Sequence, residues 1–268
     1  MEERIEPHNK KPAAVWGSGG TAYDAISRQI GSALDHCALR IAPRPGERIL
    51  DLATGTGWTS RLLARAGATV TGADLSSELL AAARERARAE NLDITYETGD
   101  AEKLPYPDGA FDAVVSTFGV MFASHPEAAA REMARVCRKG GRLGLCTWTP
   151  DGAVYQMFLV MRPYTSPPPN PPPSPFEWGK RARIEELLGR DFDLKFEDGA
   201  TVYYDRDGEA AWNAFSTGYG PTRALAASLD EQRRAELRRD FAAFHDTFST
   251  PLGFALPREY LLTVGVRR

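Results

Sequence analysis

The sequence predicts an α/β fold of the doubly wound kind, a mostly parallel sheet with helices on both faces. Three observations carry this. Between residues 47 and 149, short apolar runs alternate with segments of helical periodicity. The apolar runs, such as FDAVVST at 111–117, are nearly continuous, as strands buried on both faces require. The first run, ILDL at 49–52, passes through the glycine-bearing turn ATGTG directly into an apolar helix face at Leu62 and Leu63.

Taken in order, residues 1–20 read as poorly structured and end in the flexible WGSGG. TAYDAISRQIGSALDHCALRI (21–41) predicts one amphipathic helix with Tyr23, Ile26, Ile30, Leu34 and Cys37 near one face. Strands follow at 47–52, 69–73, 93–97, 111–117 and 142–148, with helices at 58–66, 77–90 and 126–138 between them. Ser76 or Ser77 can cap the second of these helices, and Gly140–Gly141 are expected to close the third. Beyond 150 the pattern loosens. PPPNPPPSP (167–175) must be stiff and extended, a brace at a pocket rim or a ligand for a proline-recognising module. A helix near 180–189, a strand near 194–204, helices within 208–247 and a last strand near 258–267 complete the chain. The expected organisation is one domain over 1–268: a lid at 1–46, a core at 47–149, and a cap with closing strands at 150–268.

Composition narrows the function. A net charge of -3 disfavours a dedicated nucleic-acid binder, and the basic run EQRRAELRR (231–239) carries acids at helical spacing, as a solvated helix face does. No apolar stretch is long enough to span a bilayer, and the charged start MEERIEPHNKK is unlike a signal peptide. Three cysteines without a CxxC pair suit a reducing compartment, so a cytoplasmic location is expected. Four histidines and the cysteines lack ligand spacing, so no metal site is expected.

Parallel sheets bind ligands beyond the carboxyl ends of their strands. Gly55 and Gly57 would let the backbone approach a ligand there, although such turns also serve packing alone. TVTGADLS (69–76) sets Asp74 at the end of the second strand, where a carboxylate can accept both hydrogen bonds of a ribose diol. The alternative is a helix cap, a role open to Ser76. In YETGDAEKLPYPDGAFDAVVSTFGVMF (96–122), Asp100 ends the third strand. From there it can accept from an adenine amino group while the Ala101 N–H donates to the ring. A pyrophosphate-binding fold does not need this element.

With these motifs in this order, residues 47–149 resemble the class I S-adenosylmethionine-dependent methyltransferases, in particular the ubiquinone/menaquinone-biosynthesis-like branch. The resemblance implies a Rossmann-like, mostly parallel seven-stranded sheet with an antiparallel last strand, an N-terminal lid helix and a helical insertion before that strand. It implies that Asp51 and the turn Ala53, Thr54, Gly55, Thr56 and Gly57 hold the amino-acid end of the cofactor. Asp74 would hold the ribose, Leu75 would flank the adenine, and Asp100 and Ala101 would read its edge. Ser116 and Phe118 would line the cofactor and face the methyl group. Ala53 replaces the family's first glycine, a departure that matters only if residue 53 needs a positive φ. The implied activity is methyl transfer from S-adenosylmethionine, leaving S-adenosylhomocysteine, to oxygen, nitrogen, carbon or a chalcogen of a small molecule. No metal, nucleic acid or membrane span is implied.

In-line displacement on a sulfonium needs alignment and exclusion of water, and no protein nucleophile. Candidate acid–base or orienting residues are His125, which could instead cap the helix from Pro126, and Tyr23 and Tyr219. His245, among aromatics, reads as a satisfied, half-buried histidine. Trp16, Phe122, Trp148, Trp178 and Tyr219 are the candidate substrate-pocket residues, or else packing residues, with Tyr219 singled out because glycines flank it in TGYGPTR. Three rivals stand beside methyl transfer. One is a non-methylating reaction such as cyclisation or decarboxylation on the same bound sulfonium. Another is a nicotinamide dehydrogenase, for which GTGWTS supplies serine at the third glycine position. The last is a non-catalytic partner protein recognised through the proline run.

Overall fold

The computed structural model describes residues 5–166 and 170–268. Strands β1 (Arg48–Leu52), β2 (Thr69–Asp74), β3 (Ile94–Thr98), β4 (Phe111–Thr117) and β5 (Cys137–Trp148) pair in parallel in the spatial order β3-β2-β1-β4-β5. Their centres, Ile49, Leu50, Val114 and Leu145, are fully buried, because helices cover both faces. Those helices are α4 (Trp58–Arg65), α5 (Ser77–Ala89) and α6 (Pro126–Val136). Ser76 caps α5, its hydroxyl accepting from the Leu79 N–H at 3.1 Å.

The sheet continues through β8 (Gly253–Arg267), antiparallel to β5, and β6 (Phe192–Asp205), antiparallel to β8. These seven strands match the expected number, with the last strand β8 antiparallel as expected, and the two-residue β7 (Ser249–Thr250) adds an eighth beside β8. Between β5 and β6 lie α7 (Ala153–Met161) and α8 (Arg181–Leu188). The predicted insertion before the last strand comprises α9 (Gly208–Gly218), α10 (Gly220–Ser228) and α11 (Glu231–Asp246).

Four expectations are corrected. Residues 5–20 are ordered: a 3-10 turn at Pro7–Asn9 leads into α1 (Lys10–Gly17), held by the Asn9 side chain against the core. The single helix at 21–41 is two, α2 (Tyr23–Arg28) and α3 (Gly31–Ile41), broken at Gln29–Ile30. The break lets α2 face α9 while α3 packs on β5. Helix α6 stops at Val136, because Cys137 turns to extended backbone and pairs with Phe111; Gly140 and Gly141 lie inside β5, beside an irregularity of register. Finally, β8 begins at Gly253 rather than 258, which places Arg258 within the strand. Of the proline run, residues 167–169 lie outside the described residues, and Pro175 opens a 3-10 turn over Pro175–Gly179.

Candidate functional site

The turn after β1 is fixed from below. The hydroxyls of Thr54 and Ser60 both donate to Oδ2 of Asp51, each at 2.6 Å, and the Thr54 N–H donates to the Ala73 carbonyl at 3.0 Å. Burial pushes the Asp51 carboxyl up to about 6 against those two hydroxyl donors, with the Asp74 charge adding to the rise. Ala53 sits at φ 55, in the left-handed region that favours glycine. The substitution that the sequence made look mild therefore falls where residue type matters. Gly119 accommodates it: a Cβ on Gly119 would lie 2.4 Å from the Ala53 Cβ.

At the end of β2, Asp74 accepts from the Gly55 N–H at 2.8 Å and the Ser76 N–H at 2.9 Å. Since Ser76 caps α5, Asp74 is left to the turn and to the cavity in front of it. At the end of β3, Gly99, Asp100 and Ala101 form the next wall. The Asp100 carboxylate is already well supplied with donors: the Asn9 amide at 3.0 and 3.2 Å, the Glu6 N–H at 3.0 Å and the Glu102 N–H at 3.0 Å. Nothing in the sequence pattern marks Asn9 as this partner.

Two cavities result. The first encloses about 710 Å³, open mouth included, beyond the ends of β1, β2 and β3. Ala53, Gly55, Asp74, Leu75, Asp100, Ala101 and Phe118 line it, roofed by Asn9, Pro12 and Trp16. The second, of about 560 Å³, lies between the N-terminal segment and α7, α9, α11, β6 and β8. Trp16, Tyr23, Phe118 and Phe122 line both. Trp148 and Tyr219, also expected in a substrate pocket, line the second.

The shared aromatics form a built cluster. The Trp16 ring packs edge-on to Phe122 at 4.8 Å and to Tyr219 at 5.5 Å, and Tyr23 stacks on Tyr219 at 6.3 Å. Phe118, held at φ 59, stacks on Trp148 at 3.8 Å. Burial, with the Asp74 charge beside it, raises the Tyr23 phenol; burial, with Tyr23 beside it, raises that of Tyr219. Both stay protonated at neutral pH.

Other expected site residues lie elsewhere. Asp51, Thr54, Thr56, Gly57 and Ser116 stand behind the wall of the first cavity and line neither. The Ser116 hydroxyl donates to the Leu52 carbonyl at 2.7 Å and accepts from the Val120 N–H at 3.0 Å, so it staples the β1 turn to the loop after β4. Trp178 is buried beside β5, where its carbonyl accepts from Thr147 at 2.8 Å, and lines neither cavity. His125 is exposed and lines neither: its Nδ1 lies 2.7 Å from Glu102 and 3.0 Å from His8. Its side chain does not cap α6. His8, Glu102 and His125 place one potential metal-ligand atom each within 4.8 Å of one another, a grouping that sequence spacing did not reveal.

Two lining residues were missed or misread. Arg258 is buried; its guanidinium donates to the Gln29 side-chain oxygen at 3.0 Å and lies 4.5 Å over the Tyr203 ring. Burial lowers its pKa to about 10. His245 is fully buried and only half satisfied. Its Nδ1–H donates to the Phe241 carbonyl at 2.8 Å, and Nε2 has no partner. Burial pushes its pKa down to about 4, and the nearby Arg258 charge adds to the fall.

A doubly wound sheet with one antiparallel strand near its edge, and a nucleoside-sized cavity walled by Asp74 and Asp100, defines the S-adenosylmethionine-dependent methyltransferase class of fold. Asp74 and Asp100 each bring a carboxylate, from the ends of β2 and β3, to one cavity whose other walls include the small or apolar Ala53, Gly55, Leu75, Gly99 and Ala101, a donor and acceptor set of the kind a nucleoside requires. A family profile described as a methyltransferase domain matches residues 50–145. An uncharacterised protein of Mycobacterium tuberculosis is 40% identical over 233 residues, covering 82% of this chain and 84% of the relative. The demethylmenaquinone methyltransferase of Thermus thermophilus is 39% identical over 152 residues, covering 51% of this chain and 68% of the relative. The crystal structure of a putative methyltransferase from Bacillus halodurans superimposes with a TM-score of 0.62 at 21% identity, covering 88% of this chain and 98% of that one. The chain belongs to the class I S-adenosylmethionine-dependent methyltransferases, in the ubiquinone/menaquinone-like branch. No helix among the described residues is long and apolar enough to cross a membrane.

Proposed function

We propose that the protein methylates a small molecule, with S-adenosylmethionine in the first cavity and the acceptor in the second. The observation that supports this reading is that Trp16, Tyr23, Phe118 and Phe122 line both cavities, so a group crossing from one to the other passes between their rings. The bound sulfonium supplies an already activated methyl carbon. The chain's own part is therefore to bind, align and exclude water.

Asp74 accepts the ribose hydroxyls, Leu75 packs on the base, and Ala101 and Asp100 meet its edge. For Asp100 to do so, the Asn9 amide must share it. A shared ring that turns its face to the junction would favour a positive charge there, worth about 0.5–2 kcal/mol. Tyr23, protonated, is a donor there and not a base. The N-terminal segment acts as a lid, and an acceptor enclosed beneath it is a small molecule and not a polymer.

Calorimetric titration with S-adenosylhomocysteine tests the reading. The intact protein is expected to bind in the micromolar range. Asp74→Ala, which removes charge-assisted hydrogen bonds, should weaken binding by about 10- to 100-fold, or roughly 1.5–3 kcal/mol. A folded protein that does not bind, or an Asp74→Ala variant that binds equally well, would refute it.

A further inference from the structure

We infer that the second cavity is built for a flat aromatic acceptor carrying an anionic oxygen group and a separate hydroxyl. Arg258 holds the anion, and Nε2 of His245 takes the hydroxyl's hydrogen bond. This rests on the function proposed above, which assigns that cavity to the acceptor.

Arg258 is placed by the alternation of β8: Phe254, Leu256, Arg258 and Tyr260 share the buried face. A guanidinium taken out of water there costs several kcal/mol unless an anion meets it. Among the described residues Arg258 makes no ion pair. The nearby acids are engaged elsewhere: Asp205 accepts from the Tyr203 hydroxyl at 2.8 Å, and Glu259, on the opposite face of β8, accepts from the Ala153 N–H. What Arg258 does have is the Gln29 oxygen and the face of Tyr203, while its Nε is buried with no partner. A guanidinium lining a cavity with a donor left over is a seat for a carboxylate or phenolate.

His245 supplies the opposite polarity. Because a carbonyl holds Nδ1, that nitrogen carries the proton and Nε2 presents a bare lone pair. The ring is packed among Phe241, Phe244, Phe254 and Tyr203, and the neighbouring cationic Arg258 opposes a second proton. It is thus a fixed acceptor, suited to an O–H. Tyr203 touches both groups, with Arg258 4.5 Å over its ring and the His245 ring edge-on at 6.2 Å, so anion seat and acceptor stand beside the same aromatic ring. The remaining walls are mostly apolar, with the rings of Phe118, Phe215 and Trp148 beside aliphatic side chains such as Met157 and Leu256, and the protonated phenols of Tyr23 and Tyr219. A cationic amine would meet Arg258 unfavourably, and a neutral hydrocarbon would leave the Arg258 charge without an anion and Nε2 of His245 without a donor.

The test is ligand binding by the full chain saturated with S-adenosylhomocysteine, read by calorimetry. The probes are a hydroxynaphthoate with hydroxyl and carboxylate on opposite rings, its methyl ester, and the hydroxyl-free naphthoate. The acid is expected to bind at least tenfold tighter than the ester. Arg258→Gln should bring that ratio close to one, Arg258→Lys should keep part of it, and both should leave S-adenosylhomocysteine affinity unchanged. His245→Phe should remove the advantage of the hydroxynaphthoate over the naphthoate while keeping the preference for acid over ester. Equal binding of acid and ester by the unaltered protein, or binding of neither, overturns the inference even if a variant fails to fold. Failure of the unaltered protein to bind S-adenosylhomocysteine would instead bring down the underlying functional reading.

Discussion

Gly119→Ala tests the way the two loops at the wall of the first cavity are joined. Gly119 has φ −104, an angle any residue accepts, so backbone strain does not enter. The added Cβ would lie 2.4 Å from the Ala53 Cβ and 2.9 Å from the Ala53 carbonyl oxygen, whereas carbon atoms in contact settle at roughly 3.5–4.0 Å. Neither loop can withdraw cheaply, because Ser116 bonds to both, to Leu52 on one side and Val120 on the other. Overpacking of this kind costs about 1–3 kcal/mol. For a chain of this size each kcal/mol is about 2–4 °C in Tm. Ala53→Gly alone relieves about 1 kcal/mol of left-handed strain and gives back a similar amount in unfolded-chain freedom, so it should be close to neutral. The double variant removes the Cβ–Cβ collision but keeps the 2.9 Å approach to the residue-53 carbonyl oxygen, so it should recover part of the loss. Denaturant unfolding of all four proteins gives the coupling energy, expected at about 1 kcal/mol or more. Strictly additive effects, or a Gly119→Ala variant as stable as the parent, would refute the reasoning.

Asp51 and Asn9 give two further predictions. A carboxyl whose folded-state pKa lies near 6, against 3.8 unfolded, binds its proton more tightly when folded. Its contribution is full below about pH 4 and is lost as pH rises through about 6, so Asp51→Asn should flatten that decline when the two Tm–pH profiles are subtracted. An identical profile would show that the Asp51 pKa is not raised. Asn9→Ala removes the amide from a buried carboxylate, about 1.5–3 kcal/mol for a bond to a charged group. Amide hydrogen exchange over Lys10–Gly17 should accelerate by roughly 10- to 100-fold; unchanged protection would mean that α1 is held by its apolar contacts alone.

What could be read from the sequence divides along a physical line. The central strands declare themselves because burial on both faces demands unbroken apolar runs, and the order of those runs then puts Asp74 and Asp100 at strand ends without knowledge of anything distant. The segment before Tyr23 carries no such signal. Pro7–Asn9 and α1 have no side-chain caps, and a segment of that length is marginal on its own, so residues 5–20 are ordered by what they dock against. Asp100 is ninety-one residues from Asn9, and the His8–Glu102–His125 grouping spans a comparable distance. Nor does the letter at position 53 disclose its φ, since the backbone angle is imposed by the turn and tolerated because position 119 lacks a Cβ. Arg258 shows the limit most clearly. In a last strand beginning at 258 it would stand at the strand's end, where an arginine belongs in solvent. Starting the strand at Gly253 and pairing it with β6 leaves it in the interior, opposite Thr201 and over Tyr203. An alternating strand offers either face to any of its residues; what packs on each face decides which charge is buried.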